Sequence, residues 1–87
     1  MKRYWFEFDF SNYENPPYGL IIGCGVTGYE YNDVIQLLKD KVFYGRDLPV
    51  IKEVIENVDI QKLDRNHVIP NMDPPINRGI WFPLGYS

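Results

Sequence analysis

The chain begins with a strict alternation of side chains. Aromatic residues occupy every second position from Tyr4 to Phe10, and Trp5, Glu7 and Asp9 lie between them. Successive side chains of a β-strand point to opposite faces, so this pattern predicts a strand. We expect its aromatic face to lie in the core and its two carboxylates to face solvent.

A second aromatic stretch lies near the end of the chain, in residues 79–86. It predicts a last strand that contains Trp81 and Phe82. Pro83 within this stretch predicts an edge position or an early end, because proline cannot donate a ladder hydrogen bond. Aromatic cross-strand pairs stabilise sheets, so we expect the N- and C-terminal strands to be paired.

Between these strands the pattern predicts one more strand and a helix. Apolar residues alternate with small ones over residues 20–27, which indicates a second strand. Asn32 is a plausible N-cap, and an apolar stripe at helical spacing predicts a helix over residues 33–43. Gly45 is a typical residue to end it.

The stretch from residue 48 to 63 fits two interpretations. Its valines and isoleucines fit one face of a helix, which Pro49 would open. The adjacent Val-Ile pairs and the turn residues at both ends favour a strand instead. We favour a strand over residues 52–58 and a helical turn over residues 59–64, and we predict a loop over residues 65–78.

These elements predict an α+β fold, a small two-layer sandwich in one domain over residues 1–87. Its mixed sheet would have about four strands and one main helix, in the order β-β-α-β-β. A chain of 87 residues is long enough for one core. Aromatic residues make up 16% of it, and they supply core area that a short chain otherwise lacks.

Charge and composition exclude several classes of function. Nine basic and twelve acidic residues give a net charge of −3, and the basic ones are scattered, which argues against nucleic-acid binding. No apolar run is long enough to cross a bilayer, and acid follows the basic residues near the start, so we expect neither a membrane partner nor a signal peptide. We expect a cytoplasmic protein.

The single cysteine, Cys24, and the single histidine, His67, limit the chemistry further. They exclude an intrachain disulfide and leave too few ligands for a Cys/His zinc site, so we predict no metal and no cofactor. A nucleophile-base pair of Cys24 and His67 is conceivable. A thiol in the apolar set of a strand is more typical of a buried, inert residue, and we predict no catalytic residue.

Residues 23–28 have the glycine spacing of a dinucleotide-binding loop and follow a predicted strand. In such a loop the last glycine opens a helix whose N–H groups bind phosphate. Here the predicted helix begins only near Asn32. The alternative is a strand whose small side chains make room for an aromatic ring.

Polar loop residues form a candidate ligand site. If the loops after the helix and before the last strand meet, two arginines could hold an anion and His67 could exchange protons, beside the N–H groups of the glycine segment. Alternatively, these residues satisfy local turns and surface ion pairs. The candidate ligand-binding residues are Gly25, Gly28, Arg46, His67, Asn71 and Arg78.

Trp5 and Trp81 form a candidate interaction surface. One helix cannot cover both faces of a sheet, so we expect one of these indoles to be exposed, where it would favour protein contact or self-association. Alternatively, a loop such as residues 12–18 folds over them.

Several motifs resemble those of a group of short bacterial proteins of unknown function. These are Tyr4-Trp5-Phe6-Glu7-Phe8, Gly23-Cys24-Gly25-Val26-Thr27, Asn57-Val58-Asp59, Leu63-Asp64-Arg65-Asn66-His67-Val68, Pro70-Asn71-Met72 and Arg78-Gly79-Ile80-Trp81-Phe82-Pro83. The resemblance spans nearly the whole chain and implies a free-standing bacterial domain, but no activity and no catalytic residues.

The sequence therefore favours a non-enzymatic protein-interaction module that binds another protein or itself through a sheet face or an edge strand. The alternative is a small-ligand site, for an anion or a nucleotide, or an enzymatic site, at the glycine strand end and the His67 loop.

Overall fold

A computed structural model of the chain describes residues 1–86. The strands are β1 (Lys2–Asp9), β2 (Cys24–Gly28), β3 (Val50–Glu56) and β4 (Gly79–Phe82), and the helix α1 (Tyr31–Leu37) continues into a π-helical turn, Leu38–Val42. Two short 3-10 turns, Ile60–Lys62 and Ile69–Asn71, lie between β3 and β4. The predicted α+β class with one main helix is confirmed.

Over residues 1–86 the sheet has four strands in the order β3-β1-β2-β4, and every neighbouring pair is antiparallel. It is therefore not the mixed sheet that we predicted. The helical crossover does connect two strands that run in the same direction, β2 and β3, but β1 lies between them. The first and last strands are joined through β2, which pairs with both, rather than by hydrogen bonds to each other.

The helix matches the predicted residues 33–43 closely, although its ends differ in detail. The N-cap is Glu30 rather than Asn32, and the carboxylate of Asp33 accepts the Tyr29 N–H at 2.9 Å. In the π-helical turn the Phe43 N–H donates to the Leu38 carbonyl at 3.0 Å. The predicted stop is confirmed, because Gly45 follows with a φ of +84°, which suits glycine.

The ambiguous stretch is a strand, as we favoured, followed by one short helical turn. β3 begins two residues earlier than predicted. The turn is 3-10, and the Asp59 carboxylate caps it by accepting the Gln61 N–H at 3.0 Å. β4 lies at an edge of the sheet, as Pro83 predicted.

The second strand is shorter than the predicted residues 20–27. β2 begins only at Cys24, and residues 18–22 form turns. Leu20 is buried, but Ile21 and Ile22 are both exposed, so the apolar residues of this segment do not alternate between two faces. The residue types of this segment resemble those of a strand, although its backbone forms turns.

Each face of the sheet carries its own core cluster. On one face the aromatic set of β1 packs under α1 and the π-helical turn, where Phe8 lies 5.5 Å from Phe43 between ring centroids. On the other face Trp5 and Trp81 pack against Val58 and Val68. Residues 57–73, which contain the two 3-10 turns and which we call the covering segment, thus close the face opposite the helix.

Within residues 1–86, no helix combines the length and the apolar character needed to cross a membrane.

Candidate functional site

The glycine motif is a strand rather than a phosphate-binding loop. Five of its six residues form β2, and Gly25 pairs with Trp5 on one side and Phe82 on the other. A Cβ built on Gly25 would lie 2.3 Å from Cζ3 of Trp81, so the indole rests directly on this glycine. A Cβ on Gly23 would come equally close to the Trp5 ring. The geometry therefore fits the alternative interpretation, in which the small residues of a strand make room for aromatic rings.

Gly28 and Arg78 lie together at the start of the helix. The guanidinium of Arg78 donates to both carboxylate oxygens of Asp33, from Nε at 3.0 Å and from Nη2 at 2.5 Å. A Cβ on Gly28 would lie 2.8 Å from Asp33 Oδ2, so glycine leaves room for this pair. The bidentate geometry is the strong form of an arginine-carboxylate contact.

This ion pair shifts the titration of its carboxylate. The hydrogen bonds from Arg78, and then the N–H of Tyr29, lower the pKa of Asp33 to about 2. Arg78 also borders an open cavity of about 240 Å³ with Asp73 and Asn77. Since its charge is already matched by Asp33, Arg78 offers a bound anion little uncompensated attraction.

The side chain of Arg46 contacts and stabilises the loop after β1. Its guanidinium donates to the carbonyl of Asn15 at 3.2 Å and to that of Glu14, and its Cζ lies 4.5 Å from the centre of the Tyr13 ring. The Tyr13 hydroxyl in turn donates to the Asp47 carbonyl at 2.8 Å. These contacts give Arg46 a structural role, because they hold the loop in place.

His67 and Asn71 belong to the covering segment. The Nδ1 atom of His67 lies 3.1 Å from Oδ2 of Asp64, and the Asn71 amide donates to the His67 carbonyl at 3.1 Å. The N–H of Asn66, and then the His67 ring, lower the pKa of Asp64. Each of these polar contacts spans at most four residues, as expected for groups that shape a local turn.

The structure does not bring the candidate ligand residues into one pocket. Arg78 binds at the first turn of the helix and Arg46 follows its last turn, so about 15 Å of helix separates them. His67 and Asn71 lie in the segment that covers the opposite face of the sheet. This arrangement therefore does not support a shared binding site for an anion or a nucleotide.

Cys24 and His67 do not form a nucleophile-base pair. Cys24 is fully buried in the cluster under the helix, and burial raises the pKa of its thiol. His67 is exposed and bonds Asp64. Among residues 1–86, no three His, Cys, Asp or Glu side chains are grouped so that they could hold a metal ion.

Our expectation of an exposed tryptophan is wrong. Trp5 is 4% exposed and Trp81 is 1% exposed, because the covering segment lies over both. The loop of residues 12–18, which we named as the alternative cover, contacts the other cluster instead, through Tyr13. The two indoles therefore form a core, with 6.1 Å between ring centroids, and not a surface.

The open edge of β3 is the feature that sequence reasoning missed. Among the described residues, 1–86, β3 pairs with β1 alone, so its other side presents free backbone groups. Its side chains are largely exposed, with Val50 at 70%, Val54 at 41% and Ile55 at 39%. The sequence signal was a strand with apolar residues on both faces, interrupted by Lys52 and Glu53. That pattern is unusual for a strand with one buried and one solvated face.

Comparison with protein-family models, with curated proteins and with solved structures gave no match to this chain.

Proposed function

We propose that this protein is a non-enzymatic protein-interaction module, and that the free edge of β3 is its docking element. The observation that carries the proposal is an edge strand of seven residues in which Val50, Val54 and Ile55 are exposed. An extended segment of a partner can add to such an edge as a further strand, with affinity from main-chain hydrogen bonds and specificity from side chains.

The two faces of the sheet and its other edge are less favourable surfaces for a partner. α1 and the covering segment occupy the two faces of the sheet. The opposite edge strand, β4, has four residues, most of them buried, and Pro83 follows it directly. β3 is the longer and more accessible edge, so it is the better template for a partner strand.

The setting we propose is the bacterial cytoplasm. The resemblance to short bacterial proteins and the single, buried cysteine both support this location. The net charge of −3 further suits a protein that binds other proteins rather than nucleic acid.

A matched pair of surface variants tests the proposal. Val54→Lys places a charge on the free edge, whereas Ile76→Lys makes the same type of change at an exposed loop position far along the chain. Both sites are exposed, so both variants should fold, which circular dichroism checks. Tagged wild-type protein and each variant are then used to capture partners from host lysate, with identification by mass spectrometry.

We expect the wild-type protein and Ile76→Lys to retain one protein in stoichiometric amount and Val54→Lys to lose it. The retained protein can also be the untagged host copy of this chain. Equal capture by both variants, or no stoichiometric protein with wild type, would contradict the proposal.

A further inference from the structure

We infer that the strand added to β3 is the β3 strand of a second copy of this chain, paired antiparallel about a two-fold axis. This inference rests on the proposed function, because it names the occupant of the same edge. An irregularity in β3 and the charges beside it support this pairing.

The irregularity changes which residues of β3 share a face. Ile55 lies opposite Trp5 and Glu53 opposite Glu7, whereas Val54 lies opposite Phe6. The register shifts between Glu7 and Phe8, so that Ile51 lies opposite Phe8 and Val50 opposite Asp9. Lys52 is the extra residue.

As a result, Ile51 and Val54 share the face of the helix, and Val50 and Ile55 share the face of the tryptophans. In a regular strand, residues three or five positions apart would lie on opposite faces. The extra residue therefore gives β3 pairs of apolar residues that match across a two-fold axis.

One antiparallel register places residues of the same face opposite each other. In it Val50 faces Ile55 of the second copy, Ile51 faces Val54, and Lys52 meets Glu53, and the two-fold axis repeats each pair. In an unbroken strand this register would set side chains from opposite faces against each other. Here every apolar residue of β3 meets an apolar residue, and Lys52 and Glu53 each meet the opposite charge, whereas Glu56 pairs with Lys2 of its own chain at 2.6 Å.

The backbone alternation agrees with this register. The Asn57 N–H donates to the Arg3 carbonyl at 2.7 Å, so residue 57 points its amide at β1. By alternation the amide of Ile55 also points at β1 and that of Val54 points away from it. Val54 can thus donate to the second copy, where it faces Ile51.

The charges of β3 favour the same occupant. Glu53 lies opposite Glu7 in β1, a like-charge pair that is unfavourable across two strands. Within residues 1–86, neither Lys52 nor Glu53 takes part in an ion pair. Lys52 of a second copy would bring the missing cation to Glu53, and the symmetry would do this twice.

The same features select against other strands. A lysine and a bulge in an edge strand hinder pairing with an arbitrary segment. Only a strand with a matching extra residue and an acidic group beside it satisfies them, and a second β3 has both. The edge is therefore selective for its own copy.

A charge-swap series measured by sedimentation equilibrium tests the inference. Lys52→Glu and Glu53→Lys each turn both cross-copy ion pairs into repulsions, and the double variant Lys52→Glu/Glu53→Lys restores them in reverse. Lys52 and Glu53 are exposed, so the variants should fold.

We expect a concentration-dependent dimer of the wild-type chain, a dissociation constant raised about tenfold or more in each single variant, and recovery in the double variant. Wild-type protein that stays monomeric up to about millimolar concentration, or a double variant that remains as weak as the single ones, would overturn the inference. If the wild-type chain is monomeric while capture from lysate still depends on Val54, only the identity of the partner is overturned. Loss of that dependence would overturn the proposed function itself.

Discussion

Gly25 is the residue at which the sheet and the tryptophan core meet. The benzene ring of the Trp81 indole lies where a Cβ of residue 25 would be, with three ring atoms within 2.4 Å of that position. A rigid ring cannot move aside as the end of a flexible side chain can. The glycine thus permits the close approach that buries Trp81 against β2.

We expect Gly25→Ala to destabilise the fold by about 2–3 kcal/mol, because overpacking of a filled core displaces its neighbours. Trp81→Leu removes the ring and should relieve the added methyl group. Denaturant titration of both single variants and the double variant should then show a coupling of about 1 kcal/mol or more, with the double variant less destabilised than the sum. Additive effects would mean that the indole does not rest on Gly25.

Asp33 provides the clearest pH dependence at the scale of one residue. Its pKa is about 2 in the folded chain because Arg78 and the Tyr29 N–H bind the carboxylate. A carboxyl group whose pKa is lower in the folded state stabilises the fold above its unfolded pKa, and this contribution is lost as the pH falls through the folded value.

The stabilisation from Asp33 should therefore be complete above about pH 5 and should fade between about pH 4 and pH 2. Urea titrations across this range should show a smaller loss of stability in Asp33→Asn than in the wild-type chain. An identical pH profile for both would show that the ion pair does not form in solution.

At the scale of elements, local pattern was sufficient where a strand or helix buries one face. The alternation in β1 correctly placed Phe8 in the core, and the apolar stripe located α1. The burial of Trp5 could not be predicted in this way. Its cover is an irregular segment without a periodic pattern, and that segment reaches the sheet through contacts distant in sequence.

The contacts of the candidate ligand residues could not be predicted either, because they also join residues that are distant in sequence. Arg78 and Asp33 are 45 positions apart, and no spacing rule connects them. His67, in contrast, was placed correctly in a loop, whereas Asn71 lies in the 3-10 turn Ile69–Asn71. Both residues serve the local turns of the covering segment. Residue type identified the polar groups, whereas the fold decided which of them meet.

The covering segment is an element whose attachment can be tested. Val68 is 1% exposed and packs with Trp5, so Val68→Ala should destabilise the fold by about 2 kcal/mol. The matched change Ile76→Ala affects an exposed side chain, and we expect it to stay within about 0.5 kcal/mol of the wild-type stability. Denaturant unfolding followed by tryptophan fluorescence measures both, and equal stabilities would contradict the packing of this segment on the sheet.

At the scale of the whole molecule, the sheet is covered on both faces and differs at its two edges. An aromatic core on each face lets a short chain bury a sheet that one helix could not cover alone. The short β4 edge is mostly buried, whereas the β3 edge is long and exposed. An asymmetric sheet of this kind leaves one place for a further strand, and the alternation of β3 about Lys52 suits a second copy.

Amide exchange of Val54 tests most directly the central claim, that β3 pairs with the β3 strand of a second copy. The amides of Val54 and Ile55 are adjacent, but that of Ile55 points at β1 and that of Val54 points at the free edge. We predict that the Val54 amide exchanges rapidly in dilute protein and becomes protected in concentrated protein, while Ile55 is protected in both. A Val54 amide that exchanges equally fast at every concentration would contradict the pairing of β3 with a second copy.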